Sequence, residues 1–430
     1  MSGDLRIGLA GLGTVGAGVA KVLVDRARAL SWRAGRGIAI AAVSARERAK
    51  DRGLDLSGVA FERDPLAIAE RKDVDVVVEL IGGEEGVARA LVESALRAKK
   101  HVVTANKALL ARHGASLAAL AERNGVCLKF EAAICGGIPI VKALRESLIA
   151  YEISTVRGIL NGTCNYILTQ MESSGRSFAE VLAEAQRLGY AEADPTIDIG
   201  GGDTAHKLTL LTSLAFGTVP DLDGVAMTGI DQVSPADIAF AGEFGYRLKL
   251  LGVARRTSNG IEQLVNPAMV PARTPLADVE SSFNAVAADA GEAGPFFFQG
   301  RGAGRGPTAS AVISDLVDVA RGALGPAFGR PAAELAPARR EPAEARKSAY
   351  YLRFQVLDVP GVMAEISRHL ADEMVSIESM IQRGRAPGEP VAIVMITHEA
   401  QHVAVVRALK AIAASDKVFE TPCMIPMEAA

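Results

Sequence analysis

Cysteine is scarce in this chain: four residues among 430, Cys127, Cys135, Cys164 and Cys423, with no CxxC pair. That spacing argues against a disulfide framework or a structural zinc site and suits a reducing, cytoplasmic setting. Histidine is sparse as well; the six residues are scattered, without metal-ligand spacing. Neither Cys135 nor Cys164 has a nearby histidine to activate it, so a thiol nucleophile is not expected. No apolar run reaches the roughly 18 to 20 residues that span a bilayer. The first residues lead into a charged, strand-like segment rather than a signal peptide. The formal net charge is only −3, which gives no electrostatic reason to expect nucleic acid or an anionic membrane as partner. No internal repeat is visible.

Core-forming material is ample. Apolar residues make up 49% of the chain and charged residues 23%, a composition for a soluble protein of two or three domains. Residues 5–10 (LRIGLA) read as a buried strand that runs into Gly11-Leu-Gly13-Thr14-Val15-Gly16 and then a helix to about residue 29. Strands follow at 38–43, 74–80, 101–104 and 126–131, with helices at about 85–99 and 107–123. Alternating strands and helices predict a parallel, doubly wound sheet over residues 1–135. Residues 136–329 read as α+β, with strands at 153–160, 246–254 and 261–270. A helix at 178–188 precedes an acidic loop. A glycine-rich loop at 300–306 precedes a long helix to about residue 323, and 305–330 is expected to pack back on the first domain. Residues 330–347 are rich in Pro, Ala and charge and read as a linker. Residues 348–430 restart as βαββαβ, a ferredoxin-like arrangement.

GLGTVG matches G-x-G-x-x-G in the strand–turn–helix context a dinucleotide needs. Gly11, Gly13 and Gly16 allow a tight turn and close approach to pyrophosphate, and the helix beginning at Thr14 and Val15 offers free N–H groups. No acid ends the second strand; Ser44, Arg46 and Arg48 stand there. Arginine pairs bidentately with phosphate, so NADP(H) is favoured over NAD(H). Thr104 and Lys107 follow a short strand at its C-terminal end, the edge where open α/β sheets bind ligands. The stretch from Gly189 to Lys207 concentrates Glu192, Asp194, Asp198 and Asp203 ahead of Lys207. Asp203 and Lys207 are one helical turn apart, leading a stripe of Leu210, Leu211 and Leu214. Such a pair is either an ordinary surface ion pair or a partly buried Lys–Asp couple able to move a proton. The apolar, glycine-rich loop from Phe130 to Pro139 either bends the chain between domains or aims backbone carbonyls at a cation.

Together these stretches resemble homoserine dehydrogenase: GLGTVG, VVVELIGG (76–83), TANK (104–107), FEAAICGGIPIVKALRE (130–146), GILNGTCNYIL (158–168), GYAEADPTIDIGGGDTAHK (189–207) and GRGAGRGPTASAVISDL (300–316). The last 80 residues, with DVPGV, resemble an ACT domain, a ligand-sensing module. With no kinase-like region ahead of the first strand, the resemblance is to the monofunctional form. Two positions depart from the family pattern: Cys135, where a small residue is usual, and Ser44-Ala45, where an Arg-Asp pair is common.

The resemblance implies a Rossmann-like domain, a substrate and dimerisation domain, and an ACT domain. It implies NAD(P)H-dependent interconversion of L-aspartate 4-semialdehyde and L-homoserine on the route to threonine and methionine. By position, Lys207 is then the general acid/base, Asp203 orients it, and Lys107 contacts cofactor and substrate. Glu192 and Asp198 become substrate-binding acids. The carbonyls of Glu131, Ile134, Gly136 and Ile138 hold a monovalent cation, Na+ or K+. Asp358 and Gly361 lie in the loop where such modules often bind amino acids, with threonine the expected effector, and the assembly is expected to be a homodimer or homotetramer. Two other readings compete: a dehydrogenase of another small amino or semialdehyde substrate on the same scaffold, and a cofactor-bound amino-acid sensor without catalysis.

Overall fold

The computed structural model describes residues 3–48, 50–383 and 390–428. The chain divides into two compact units, and each is described by itself. The first comprises residues 1–162, 203–225 and 282–338; the second comprises 163–202, 226–281 and 339–430. No helix among the described residues is long and apolar enough to cross a membrane.

The first unit is built on six parallel strands in the order Ala60–Glu62, Ile38–Ser44, Leu5–Ala10, Val76–Glu79, His101–Thr104 and Leu128–Lys129. This is the dinucleotide-binding order, with the chain reversing direction on either side of the first strand. Strand Val76–Glu79 is wholly buried, and Leu5–Ala10 is buried except at Arg6. That is why both read as continuous apolar runs rather than alternating ones. Register pairs Ala10 with Ser44 on one side and with Glu79 on the other. The C-terminal ends of the central strands therefore form one edge, and Gly11 follows at its middle.

Helix Arg305–Arg321 returns from far along the chain to this domain. Its Val312 and Leu316 share one apolar core with Val19 and Leu23 of helix Thr14–Asp25. The same unit holds three antiparallel strands, Thr155–Ile159, Phe283–Asp289 and Pro295–Arg301. The last two are absent from the sequence reading. Phe283–Asp289 is alanine-rich, a weak strand signal that its partner strands override. Pro295–Arg301 begins with proline, but Phe296, Phe297 and Phe298 favour the extended form it takes.

In the second unit, Tyr246–Arg256 and Ile261–Pro271 form a long antiparallel hairpin closed at Asn259-Gly260. The C-terminal strands run Ile377–Gln382, Pro390–Thr397, Tyr350–Leu357, Cys423–Pro426. With helices Val362–Asp372 and His402–Ile412 packed through Ile366, Leu370, Val405 and Leu409, they form the expected ferredoxin-like module. Asp237 ties this module to helix Pro235–Glu243. It caps its own helix through Ser234, and accepts from Tyr351 Oη at 3.0 Å and from Arg353 Nε at 2.7 Å. Residues 330–347 are packed rather than free. Ala336 bridges Thr218 in the first unit and Arg340 bridges Ile261 in the second.

Leu316→Ala should lower unfolding stability by about 2–5 kcal/mol, because the side chain is fully buried and leaves a cavity. Urea denaturation tests this; a loss below about 1 kcal/mol would mean that the returning helix contributes little to this core.

Candidate active site

The glycine loop has the geometry of a phosphate cradle. Gly11 lies at φ +103°, where a side chain would strike the Leu80 carbonyl, and a Cβ on Gly16 would meet the Gly11 carbonyl. Nothing lies within 4 Å of the Cβ position of Gly13, and no side chain caps the helix that starts at Thr14. The first-turn N–H groups are thus left for an anion, and the residues present fit a dinucleotide. At the end of the second strand Ser44 is buried and Arg46 is exposed. Arg48 stacks over the Phe61 ring at 5.3 Å. Arg52, not singled out in the sequence, donates to the carbonyls of Leu12, Glu47 and Lys50 and so fastens this segment to the glycine loop. Its signal was there: it is the third arginine in seven residues after the strand.

Thr104 is fully buried, and its hydroxyl donates to Glu79 Oε2 at 2.6 Å while accepting from the Asn106 amide. Glu79 Oε1 takes the amides of Ile81 and Gly82. Thr104 and Glu79 together lock the edge from which Lys107 starts its helix. Asn106 caps that helix by accepting from the Leu109 amide.

Helix Gly202–Phe216 brings Asp203 and Lys207 into the same unit. It is buried on almost every side, so the apolar stripe inferred from Leu210, Leu211 and Leu214 distinguishes no face. Burial of the charged pair follows from the helix being central. Lys207 Nζ donates to Asp203 Oδ2 at 2.7 Å and to the Leu160 carbonyl at 2.6 Å. Lys107 Nζ lies 3.1 Å from Asp203 Oδ1. One carboxylate thus spans two ammonium groups. The Lys207 side chain is 10% exposed and that of Lys107 36%; the first is enclosed and the second reaches solvent. Burial would push the Asp203 carboxyl up, but Lys207, Lys107 and a 2.9 Å bond from Asn161 Nδ2 hold it well below the usual carboxylate range. Asn284 Nδ2 shares the Leu160 carbonyl at 2.7 Å. Asn161 and Asn284 escaped the sequence reading, because asparagines 42 and 81 positions from Asp203 carry no local pattern. Cys135, held at φ +50°, places Sγ 3.5 Å from Asn284 Nδ2. Its side chain therefore enters the network at a position where the family usually has a small residue. Burial raises its thiol pKa and keeps it unreactive.

Loop 131–138 is braced by the Gly137 amide, which donates to the Arg301 carbonyl at 3.0 Å. The Glu131 carboxylate accepts from the amides of Val141 and Lys142, and burial pushes its pKa to about 7. Neighbouring Asp315 is pushed to about 6 by burial; its Oδ2 accepts from the Glu131 amide, and its buried Oδ1 has no hydrogen-bond partner. An orphaned carboxylate oxygen on helix Arg305–Arg321, beside a loop rich in backbone carbonyls, fits a monovalent cation.

Glu192 and Asp198 belong to the second unit. Glu192 is exposed. Asp198 sits in the short helix Thr196–Ile199, with Oδ2 3.3 Å from Thr163 Oγ1. Tyr190, stacked on Tyr166 at 4.5 Å, anchors this acidic loop. Gly361 begins helix Val362–Asp372 at φ +93°, three residues after Asp358.

A dinucleotide sheet with a lysine–carboxylate–lysine cluster held in the same unit defines an NAD(P)-dependent oxidoreductase. Family models narrow the class. Residues 11–131 match the homoserine dehydrogenase NAD binding domain, 139–317 match homoserine dehydrogenase, and 350–415 match the ACT domain. Homoserine dehydrogenase of Neisseria gonorrhoeae is 46% identical, over 99% of this chain and 98% of its own. That of Pseudomonas aeruginosa is 44% identical over 92% of each. The crystal structure of the Thiobacillus denitrificans enzyme covers both chains completely, with a TM-score of 0.94 at 44% identity. The chain belongs to the homoserine dehydrogenase family.

The folded-state pKa of Asp203 is below its unfolded value, so its ionic contribution to stability is present above pH of about 3.9 and is lost as pH falls further. The difference in unfolding free energy between wild type and Asp203→Asn should therefore shrink as pH is lowered through that range. A difference independent of pH, measured by urea titration, would count against an ionised Asp203.

Proposed function

We propose that the chain reduces L-aspartate 4-semialdehyde to L-homoserine reversibly, with Lys207 as general acid/base. The observation that carries this reading is the Asp203 carboxylate spanning the Lys207 and Lys107 ammonium groups. A nicotinamide cofactor held at the Gly11–Gly16 loop would supply the hydride to the aldehyde carbon. Negative charge then develops on the aldehyde oxygen, where the Lys207 ammonium stabilises it and gives it a proton, directly or through water. Asp203 keeps that lysine charged and aimed. Lys107, the more exposed of the two, steadies cofactor and substrate. Glu192 and Asp198 receive the substrate ammonium. The Arg46 guanidinium, with no acid at the strand end to repel a phosphate, favours NADP(H). Carbonyls of Glu131, Ile134, Gly136 and Ile138 hold Na+ or K+, whose charge would keep Glu131 and Asp315 ionised. Threonine is the proposed effector at Asp358 and Gly361, in a homodimer or homotetramer.

Lys207→Ala should lose about 10²- to 10⁴-fold in kcat while still binding NADPH; near-normal turnover with intact NADPH binding would refute its role. Homoserine oxidation with NADP+ and NAD+ side by side should give the higher kcat/KM with NADP+, and Arg46→Ala should erase that preference. Asp358→Ala should raise the threonine concentration needed for half-inhibition; unchanged sensitivity would move the effector away from this loop.

A further inference from the structure

A sizeable cavity lies away from the lysine pair, lined wholly by residues of the second unit. Its volume is about 780 Å³, inside the range of roughly 300–1,000 Å³ found for small-molecule sites. One wall is the edge of Ile261–Pro271 beside Ala226–Met227. The other is formed by Tyr350–Leu357, Cys423–Pro426 and the segment leading into them. Nothing in the proposed catalytic cycle uses it.

Its charges are unevenly committed. Arg255 is satisfied: it donates to Glu262 Oε2 at 2.6 Å and to both oxygens of Glu428 at 2.9 and 3.0 Å. Arg346 is not. Its Nε is buried with no hydrogen-bond partner, and its nearest carboxylate oxygen, Glu262 Oε1, stands 3.9 Å away. Glu262 is itself only 5% exposed, with Oε2 taken by Arg255 and Oε1 facing Arg346 across that gap. A guanidinium whose Nε is buried with its donor unused, beside a buried carboxylate with one oxygen uncommitted, is costly unless something completes both. A single small molecule does so if it carries a carboxylate and an ammonium on neighbouring atoms. Val265, Pro267 and Met424 add an apolar wall for the rest of such a molecule.

We propose that this cavity binds a free α-amino acid, with its carboxylate on Arg346 and its ammonium on Glu262 Oε1. The site is separate from the loop at Asp358 and Gly361 and requires no particular reading of the reaction. Arg346 belongs to the segment just before Tyr350–Leu357, the strand whose Arg353 is bonded to Asp237. The ligand therefore bridges the hairpin of Tyr246–Arg256 and Ile261–Pro271 to the C-terminal module inside one unit.

The test uses the full-length protein without cofactor, titrated calorimetrically and by thermal shift with the proteinogenic L-amino acids and their D-enantiomers. One amino acid, or a small related set, should bind saturably and raise Tm. Arg346→Met should weaken that binding roughly tenfold or more, and Asp358→Ala should leave it unchanged. The same Arg346→Met protein should keep its basal homoserine oxidation, which shows that it is folded; Glu262→Gln, which also loosens Arg255, serves as the second variant. The proposal is overturned if no amino acid binds at millimolar concentration. It is equally overturned if binding survives Arg346→Met, or is lost in Asp358→Ala alone.

Discussion

Much of the first unit is arranged around one buried carboxylate. Asp203 is almost wholly enclosed, and an isolated anion there would be expensive. Two lysines and an asparagine offset that cost, and each comes from a different part of the chain. Lys207 rides on the same helix. Lys107 starts the helix after the fifth strand of the parallel sheet in chain order, at its ligand-binding edge, and Asn161 follows an antiparallel strand. The network therefore forms only when the dinucleotide sheet, the antiparallel strands and the central helix are all in position. Removing Asp203 would leave two neighbouring ammonium groups without their shared carboxylate, so the cluster is a check on the fold.

Support for the cluster continues outward through backbone rather than charge. The Leu160 carbonyl accepts from both Lys207 and Asn284, and Asn284 touches Cys135 in the glycine-rich loop. On the nucleotide side, Glu79 and Thr104 fix neighbouring strand ends to each other, and Arg52 ties its segment to the Leu12 carbonyl. Hydrogen bonds to backbone and hydroxyl groups hold the surroundings, while the ion pairs centre on Asp203 with Lys107 and Lys207. That division suits a site in which charge must be stabilised on a reacting oxygen without the scaffold moving.

The sequence reading failed where local preference and tertiary demand part company. The strand at Phe283–Asp289 carries little local signal, because alanine argues against a strand until a neighbour supplies hydrogen bonds; that at Pro295–Arg301 has one, in Phe296 to Phe298 behind its leading proline. Residues 330–347 looked like a free linker by composition, yet Ala336 and Arg340 pair with strand and loop residues far away in sequence. Cys135 stood out only as a departure from the family pattern, yet its sulfur lies against Asn284, which shares the Leu160 carbonyl with Lys207.

What the sequence determined by itself is whatever depends on local order. The strand–glycine loop–helix unit, the alternation that builds a parallel sheet, the βαββαβ pattern at the C-terminus and the one-turn spacing of Asp203 and Lys207 are all properties of consecutive residues. Periodicity and turn chemistry reveal them without any partner. Only the tertiary structure decided which distant groups meet: Lys107 with Asp203, Asn161 and Asn284 with the same cluster, and Arg346 with Glu262. It also decided that the Asp203–Lys207 pair is buried rather than solvated. Those outcomes rest on long-range packing, which sets the distances and the local dielectric, and neither is written in the spacing of residues along a chain.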